Sequence, residues 1–384
     1  MKKYLLLLLL FALSLNACKK DQENFQKEKV SIQDGEVPGD LKINQLQYLG
    51  SHNSYRLRTN EAIMDFIISI GNFLPAAYSA SELDYEHIPL KDQFSYYGVR
   101  QIELDLYLDQ SGGLYYNRKG NAIAGLDEAS GIPELQNPGI KILHIPDIDF
   151  NTHNYTFKSA LEEIKAWSAS YPEHIPIFIL LELGNNSVND YVPGIGFVSP
   201  ESWNNAQALN TLENEILDVF ERNQIITPDD VRGNFSTLNE AVLANNWPSI
   251  DESRGKVMFL HNNDDINSIY LAGNPSLENK LIFTNSDPGN DDAAFIMRNS
   301  VNASYMQIQD LVAQGYIIRT RADEGTLQAR TNDYSQWNLC LSSGAHFIST
   351  DYYKSDSRAG DGTWTDYSVS FDNKLYRLNP ITHP

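Results

Sequence analysis

The residues of this chain best suited to chemistry lie where short apolar runs give out. Gly50-Ser51-His52-Asn53-Ser54-Tyr55 follows an extended run ending at Leu49, so His52 and Asn53 stand where a strand opens into a loop. Glu103 and Asp105 are two apart in Gln101-Ile-Glu-Leu-Asp-Leu-Tyr107, His144 closes Lys141-His144, and Glu182 lies near the end of Ile177-Leu183. On a strand, Glu103 and Asp105 point to one face, where two carboxylates repel each other and resist desolvation unless a cation compensates them. Asn53, Glu103, Asp105 and Glu182 form an all-oxygen donor set. Such a set favours a hard ion, Ca²⁺ ahead of Mg²⁺, because several carboxylates in one cage suit the larger, more flexible shell. His52 and His144 beside the ion would supply acid/base groups that work near neutral pH. Each piece also has a plain structural use: an edge pattern, a satisfied histidine, a glutamate paired with a lysine. The conjunction at successive strand ends points to phosphodiester cleavage.

Eight short runs could position these groups: Leu46-Leu49, Gln101-Tyr107, Lys141-His144, Ile177-Leu183, Val257-His261, Leu281-Thr284, Tyr316-Thr320 and His346-Thr350. Between them Phe157, Leu161, Ile164 and Trp167 keep helical spacing, as do Leu209, Leu212, Ile216 and Val219. Helical pattern also appears at Leu238 to Ala244, around Ile308 to Val312, and between Thr331 and Leu341. The alternation predicts an α/β protein, a single-domain (β/α)8 TIM-type barrel, whose functional residues gather at the C-terminal strand ends. No G-x-G-x-x-G or P-loop supports a nucleotide fold. Arg319, Arg321 and Asp323 end the seventh run. They would either grip a substrate phosphate or form an Arg-Asp network closing the mouth, and Asp351 and Arg330 share that ambiguity. The acidic Asp287 to Asp292 loop lacks EF-hand spacing and reads as a solvated turn.

Lys2 and Lys3 precede an apolar run from Tyr4 to Leu15, too short to span a bilayer as a helix. It reads as a secretory signal over residues 1–17, and Leu15-Asn-Ala-Cys18 is similar to a bacterial lipobox, with Cys18 the lipidated residue. Residues 18–39 then read as a lipid-anchored flexible tether and 40–384 as the catalytic domain. Lys19-Lys20 followed by Asp21-Gln-Glu23 is similar to a surface-export signal, so the expectation is an outer-membrane lipoprotein exposed at the cell surface. With two cysteines in 384 residues, Cys340 has no intrachain partner once Cys18 is acylated. The net charge of −21 disfavours nucleic acid and suits a cation. The chain is read as a monomer.

Gly50-Ser-His-Asn-Ser-Tyr55, Gly98-Val-Arg-Gln-Ile-Glu-Leu-Asp-Leu-Tyr107, His144-Ile-Pro-Asp147 and Ile177-Phe-Ile-Leu-Leu-Glu182 resemble the calcium-dependent phosphoinositide-specific phospholipase C family. The similarity to its bacterial and fungal branch continues through Thr227-Pro-Asp-Asp-Val-Arg-Gly233, Leu238-Asn-Glu-Ala-Val242, Arg319-Thr-Arg-Ala-Asp323 and Ser349-Thr-Asp-Tyr352. The resemblance implies a TIM-type barrel and a metal held by Asn53, Glu103, Asp105 and Glu182. It also implies attack by the inositol hydroxyl next to the phosphate, with Glu103 or Glu182 as base. His52 would bond the phosphate and His144 would protonate the leaving alkoxide. The implied substrate is an inositol phospholipid or related phosphodiester. Eukaryotic members place basic residues after the position of Glu182, where this chain has Leu183-Gly-Asn-Asn186. The competing expectations are a glycerophosphodiester-type barrel phosphodiesterase and a non-catalytic surface lipoprotein that only binds.

Overall fold

Inward-facing residues of eight parallel strands set the architecture. The computed structural model describes residues 37–372 and 374–383. The expected signal, Cys18 and most of the expected tether lie outside the described residues. The strands are β1 (Leu46–Ser51), β2 (Gln101–Tyr107), β3 (Lys141–Ile142), β4 (Ile177–Leu183), β5 (Val257–His261), β6 (Ile282–Thr284), β7 (Phe295–Met297), β8 (Ile317–Arg321), β9 (Phe347–Thr350) and β10 (Tyr376–Leu378). They are ordered β6-β5-β4-β2-β1-β9-β8-β7, with β3 and β10 pairing off this path. The ring closes between β6 and β7 through a parallel bridge from Asn285 to Phe295, and Asn285 Oδ1 accepts from the Met297 amide at 3.0 Å. The expected TIM-type barrel is therefore the fold.

One strand of the expected eight is corrected. Lys141–Ile142 runs antiparallel on the end of β2, pairing Tyr107 with Lys141 and Leu106 with Ile142, so it lies outside the barrel. The place it left belongs to β7, a three-residue strand reached from β6 by the Asp287 to Asp292 loop without an intervening helix. That loop is more than a solvated turn, because Asp292 is buried and accepts from Thr284 Oγ1 at 2.6 Å and Ser286 Oγ at 3.0 Å.

The helices cover the barrel as their spacing requires. Phe157–Ser170 is capped by Thr156 Oγ1, which accepts from the Ser159 amide, and buries Phe157, Leu161, Ile164 and Trp167. Ala206–Val219 is capped by Asn205 and buries Leu209, Leu212, Ile216 and Val219. Leu238–Leu243, Val301–Ala313 and Ser335–Ser343 complete the helices foreseen by pattern. Glu61–Ile70 and Leu90–Tyr97, both between β1 and β2, were not foreseen. Folded structure already includes the last residues read as tether: Val37 is buried with its carbonyl bonded to Arg254, and the Gly39 carbonyl accepts from the Asp251 amide. Among the described residues no helix is long and apolar enough to cross a membrane.

The barrel floor is aromatic. Phe347 lies 4.5 Å from Phe178, 6.0 Å from Tyr48 and 6.3 Å from Phe295 between ring centroids, all four without solvent exposure. A second apolar cluster, including Ile63, Ile67, Leu143, Ile148, Phe150 and Phe197, forms from the helix Glu61–Ile70 and the loops after β3 and β4. Truncating the floor would open a cavity that four strands cannot all collapse into. Phe347→Ala should lower the free energy of unfolding by about 3–5 kcal/mol, read as a drop in the urea midpoint.

Candidate active site

Strand register decides which side chains meet. Asp105 is paired with Glu182 and Glu103 with Leu180 across the β2–β4 ladder, so the acidic residues rise from one inward face. They open into a cavity of about 300 Å³ at the C-terminal barrel end. Its lining includes His52, Asn53, Glu103, Asp105, His144, Glu182, Arg319 and Arg321. Asp323 does not line it.

His52 and Asn53 are adjacent yet both reach the cavity, which a regular strand forbids. The chain resolves this by ending β1 at Ser51 and placing Asn53 in the left-handed region, at φ 46°. Gly50 has no room for a side chain, since a Cβ would stand 2.1 Å from Gln101 Oε1. Across the mouth, a Cβ on Gly184 would lie 2.3 Å from the Tyr107 ring, whose hydroxyl donates to the His144 carbonyl at 2.9 Å.

Glu103, Asp105 and Glu182 each place an oxygen within 4.8 Å of the others. Arg319 Nη2 donates to Glu103 Oε2 at 2.6 Å, and Asn262 Nδ2 to Glu182 Oε2 at 3.0 Å. Asp105 Oδ1 is buried with no hydrogen-bond partner. Burial first, then the charges of Glu182 and Glu103, pushes the Asp105 carboxyl well above the ordinary range. An orphaned carboxylate oxygen beside two further carboxylates and the Asn53 amide fits a hard divalent cation, and Ca²⁺ accepts that donor set.

Each histidine is held from behind by a carboxylate. His52 Nδ1 lies 2.9 Å from Asp351 Oδ1, and Arg321 Nη2 binds the other oxygen at 3.1 Å. Burial works against charge on Asp351, but His52 and Arg321 outweigh it and hold the carboxyl at about 2. Burial, then Arg321, lowers the His52 imidazole below its usual value. His144 Nδ1 lies 2.7 Å from Asp149 Oδ2, while Arg56 clamps Asp149 at 2.7 and 2.9 Å. Burial again opposes ionisation, and Arg56 with His144 brings Asp149 to about 2. Ionised carboxylates only accept, so each Nδ1 carries its hydrogen and leaves Nε2 for a reacting group.

The remaining residues singled out by sequence take structural places. Asp147 accepts from the amides of Lys119 and Val198 at 2.8 and 2.6 Å. Asp323 accepts from Thr350 Oγ1 and from the Asp351 amide, and burial followed by Asp351 pushes its carboxyl up to about 7. It holds the turn after β9 and is not part of the cavity lining. Arg330 pairs with Asp84 at 2.9 Å and covers Trp364. Cys340 is buried, its thiol 3.2 Å from the Arg321 carbonyl. Asn262, Asn299, Tyr78, Tyr85, Glu82 and Glu324 also line the cavity and were missed. Asn262, one residue past β5, followed the rule that polar residues just past strands matter. Asn299 follows the unrecognised β7, and the others lie on excursions without a pattern.

The family model described as phosphoinositide phospholipase C, Ca²⁺-dependent, matches residues 41–380. No curated protein matches the chain. Among solved structures, a calcium-dependent phosphoinositol-specific phospholipase C from a Pseudomonas species, with myoinositol, superposes with a TM-score of 0.51 at 14% identity. It covers 88% of this chain and 96% of its own. A second crystal form of the same enzyme gives 0.52 at 14%, covering 89% and 97%. The enzyme from Streptomyces antibioticus gives 0.48 at 14%, covering 82% and 95%. At such identity the two Pseudomonas superpositions speak for the fold alone. The family match spans nearly the whole folded chain and meets in one cavity the acidic and histidine pattern read from sequence, and the chain belongs to the Ca²⁺-dependent phosphoinositide phospholipase C family.

Proposed function

We propose that this chain cleaves a phosphatidylinositol-type phosphodiester by attack of the neighbouring ring hydroxyl, releasing a cyclic phosphodiester. The observation that carries this reading is the Glu103, Asp105 and Glu182 cluster flanked by two imidazoles, each braced at Nδ1 by a carboxylate. Asn53, Glu103, Asp105 and Glu182 would hold calcium, which when bound makes the hydroxyl more acidic and offsets phosphate charge. Glu103 or Glu182 would take the hydroxyl proton, each having one oxygen bonded already, to Arg319 and to Asn262 respectively. With each ring doubly protonated, His52 Nε2 would donate to a phosphate oxygen, and His144 Nε2 would hand its proton to the departing alkoxide, keeping its Nδ1 hydrogen on Asp149. Asp351 and Asp149 keep the two rings oriented during the transfer. We further propose that the lipid anchor at Cys18 tethers the enzyme to the outer membrane.

The cavity also speaks to the ring. Arg319 is committed to Glu103 and Arg321 to Asp351, while Glu82 and Glu324 add negative charge to the same lining. A ring carrying further phosphates would meet there, among the described residues, no Lys or Arg that lacks a carboxylate partner. An inositol lipid without added ring phosphates is the substrate this charge pattern favours.

The test is hydrolysis of phosphatidylinositol with calcium and then with chelator, the products separated. A cyclic inositol phosphate formed only with calcium supports the reading, and free glycerol phosphate from a glycerophosphodiester supports the rival phosphodiesterase. His52→Ala and His144→Ala should each lower kcat by about 10²–10⁴-fold with the urea midpoint unchanged. Asp105→Asn should act in opposite directions on two readouts. By removing one of three crowded charges it should stabilise the metal-free protein by about 1–3 kcal/mol. By removing a ligand it should weaken calcium binding more than about tenfold in calorimetry. On lipid panels, the combined Glu82→Gln and Glu324→Gln change should narrow the preference for the unphosphorylated ring by about tenfold.

A further inference from the structure

Tyr85 belongs to the excursion between β1 and β2 and is all but fully buried, yet its side chain lines the cavity. Its hydroxyl oxygen lies 3.1 Å from Asn53 Nδ2 and 3.3 Å from His52 Nδ1. The ring stacks beside the His52 imidazole, with centroids 6.1 Å apart and planes 26° apart. From another side the Arg56 guanidinium carbon stands 4.4 Å from the ring centroid, and Arg56 also donates to the Tyr85 carbonyl. The hydroxyl is therefore fixed by packing independent of the cavity.

A carboxamide presents oxygen and nitrogen in nearly identical shapes, and only one of them can ligate a cation. An asparagine beside a metal is best held by its nitrogen. A hydroxyl can bond either end of an amide, and here Tyr85 Oη accepts from Nδ2, which leaves Oδ1 as the end available to a cation. His52 Nδ1 carries the hydrogen that Asp351 accepts, so the same phenol oxygen receives a second, weaker contact from the imidazole. We propose that Tyr85 is a positioning residue whose hydroxyl oxygen holds the Asn53 carboxamide with Oδ1 toward the cation and ties that ligand's orientation to His52. The proposal rests on the reading of Asn53 as a calcium ligand. Loss of the hydroxyl leaves Nδ2 unpartnered, and the amide is then free to turn over.

Calorimetric calcium titration of the intact chain tests this without recourse to activity. Tyr85→Phe keeps the ring against Arg56 and His52 and deletes only the hydroxyl. Its calcium Kd should rise about tenfold or more while the urea midpoint stays close to that of the parent. In an Asn53→Asp background either oxygen can ligate, so nothing needs orienting. There the added Tyr85→Phe change should alter Kd by less than about twofold. A structural role alone would weaken both backgrounds alike, and that result overturns the proposal. So does an unchanged Kd in Tyr85→Phe when Asn53→Ala binds calcium weakly. An unchanged Kd in Asn53→Ala removes the ligand assignment beneath it, a failure recognisable as separate from that of Tyr85.

Discussion

The constraint on which this molecule turns is the crowding of Glu103, Asp105 and Glu182 at the top of a barrel whose floor is aromatic. Three carboxylates that close are costly in a buried setting, and the protein leaves the cost partly unrelieved. Arg319 relieves Glu103 and an amide serves Glu182, but one oxygen of Asp105 has nothing. A chain selected for stability alone would place an apolar side chain at that position. Keeping the charge is the structural cost of a cation site, and the tight floor beneath it supplies stability that the site does not.

The two histidines relate to this cluster by a shared design reached from different directions. His52 comes from the end of a barrel strand and is braced by Asp351 from the neighbouring strand end. His144 comes from outside the barrel, on the loop after the antiparallel β3, and is braced by Asp149 of that same loop. The loop is held in turn by the apolar cluster over the mouth and by Tyr107, which the space above Gly184 admits. One arm of the site is therefore rigid by β-ladder and the other by packing.

Much of this was legible in the residues themselves. The inward alternation of Glu103 and Asp105, the loop at His52 and Asn53, and the helical stripes at Phe157–Trp167 and Leu209–Val219 carry local periodicity, and each stands as read. What escaped lacks a local signal. Phe295–Met297 is three residues long and follows a loop, so no alternation betrays it, whereas Lys141–His144 has strand-like composition but pairs with β2 from outside. Asp323 looks like a mouth residue from its spacing, yet it turns back to Thr350 and Asp351, a choice made by tertiary hydrogen bonding. Tyr85 lies 32 positions from Asn53 and 33 from His52, where no window joins them.

Those long-range contacts also join the two arms. Tyr85 stacks on His52, Arg56 lies over Tyr85, Asp149 clamps Arg56, and His144 bonds Asp149. Arg56 is fully buried and its charge is compensated by Asp149, so neither can shift without leaving the other charge stranded in the interior. The two imidazoles are thereby linked by a buried ion pair as well as by the strand and the loop that carry them. Under the proposed mechanism a substrate would enter and leave across the mouth while the two imidazoles keep their separation. Arg56 and Asp149 would then act without touching the substrate, by holding the distance between the two histidines proposed to act on it.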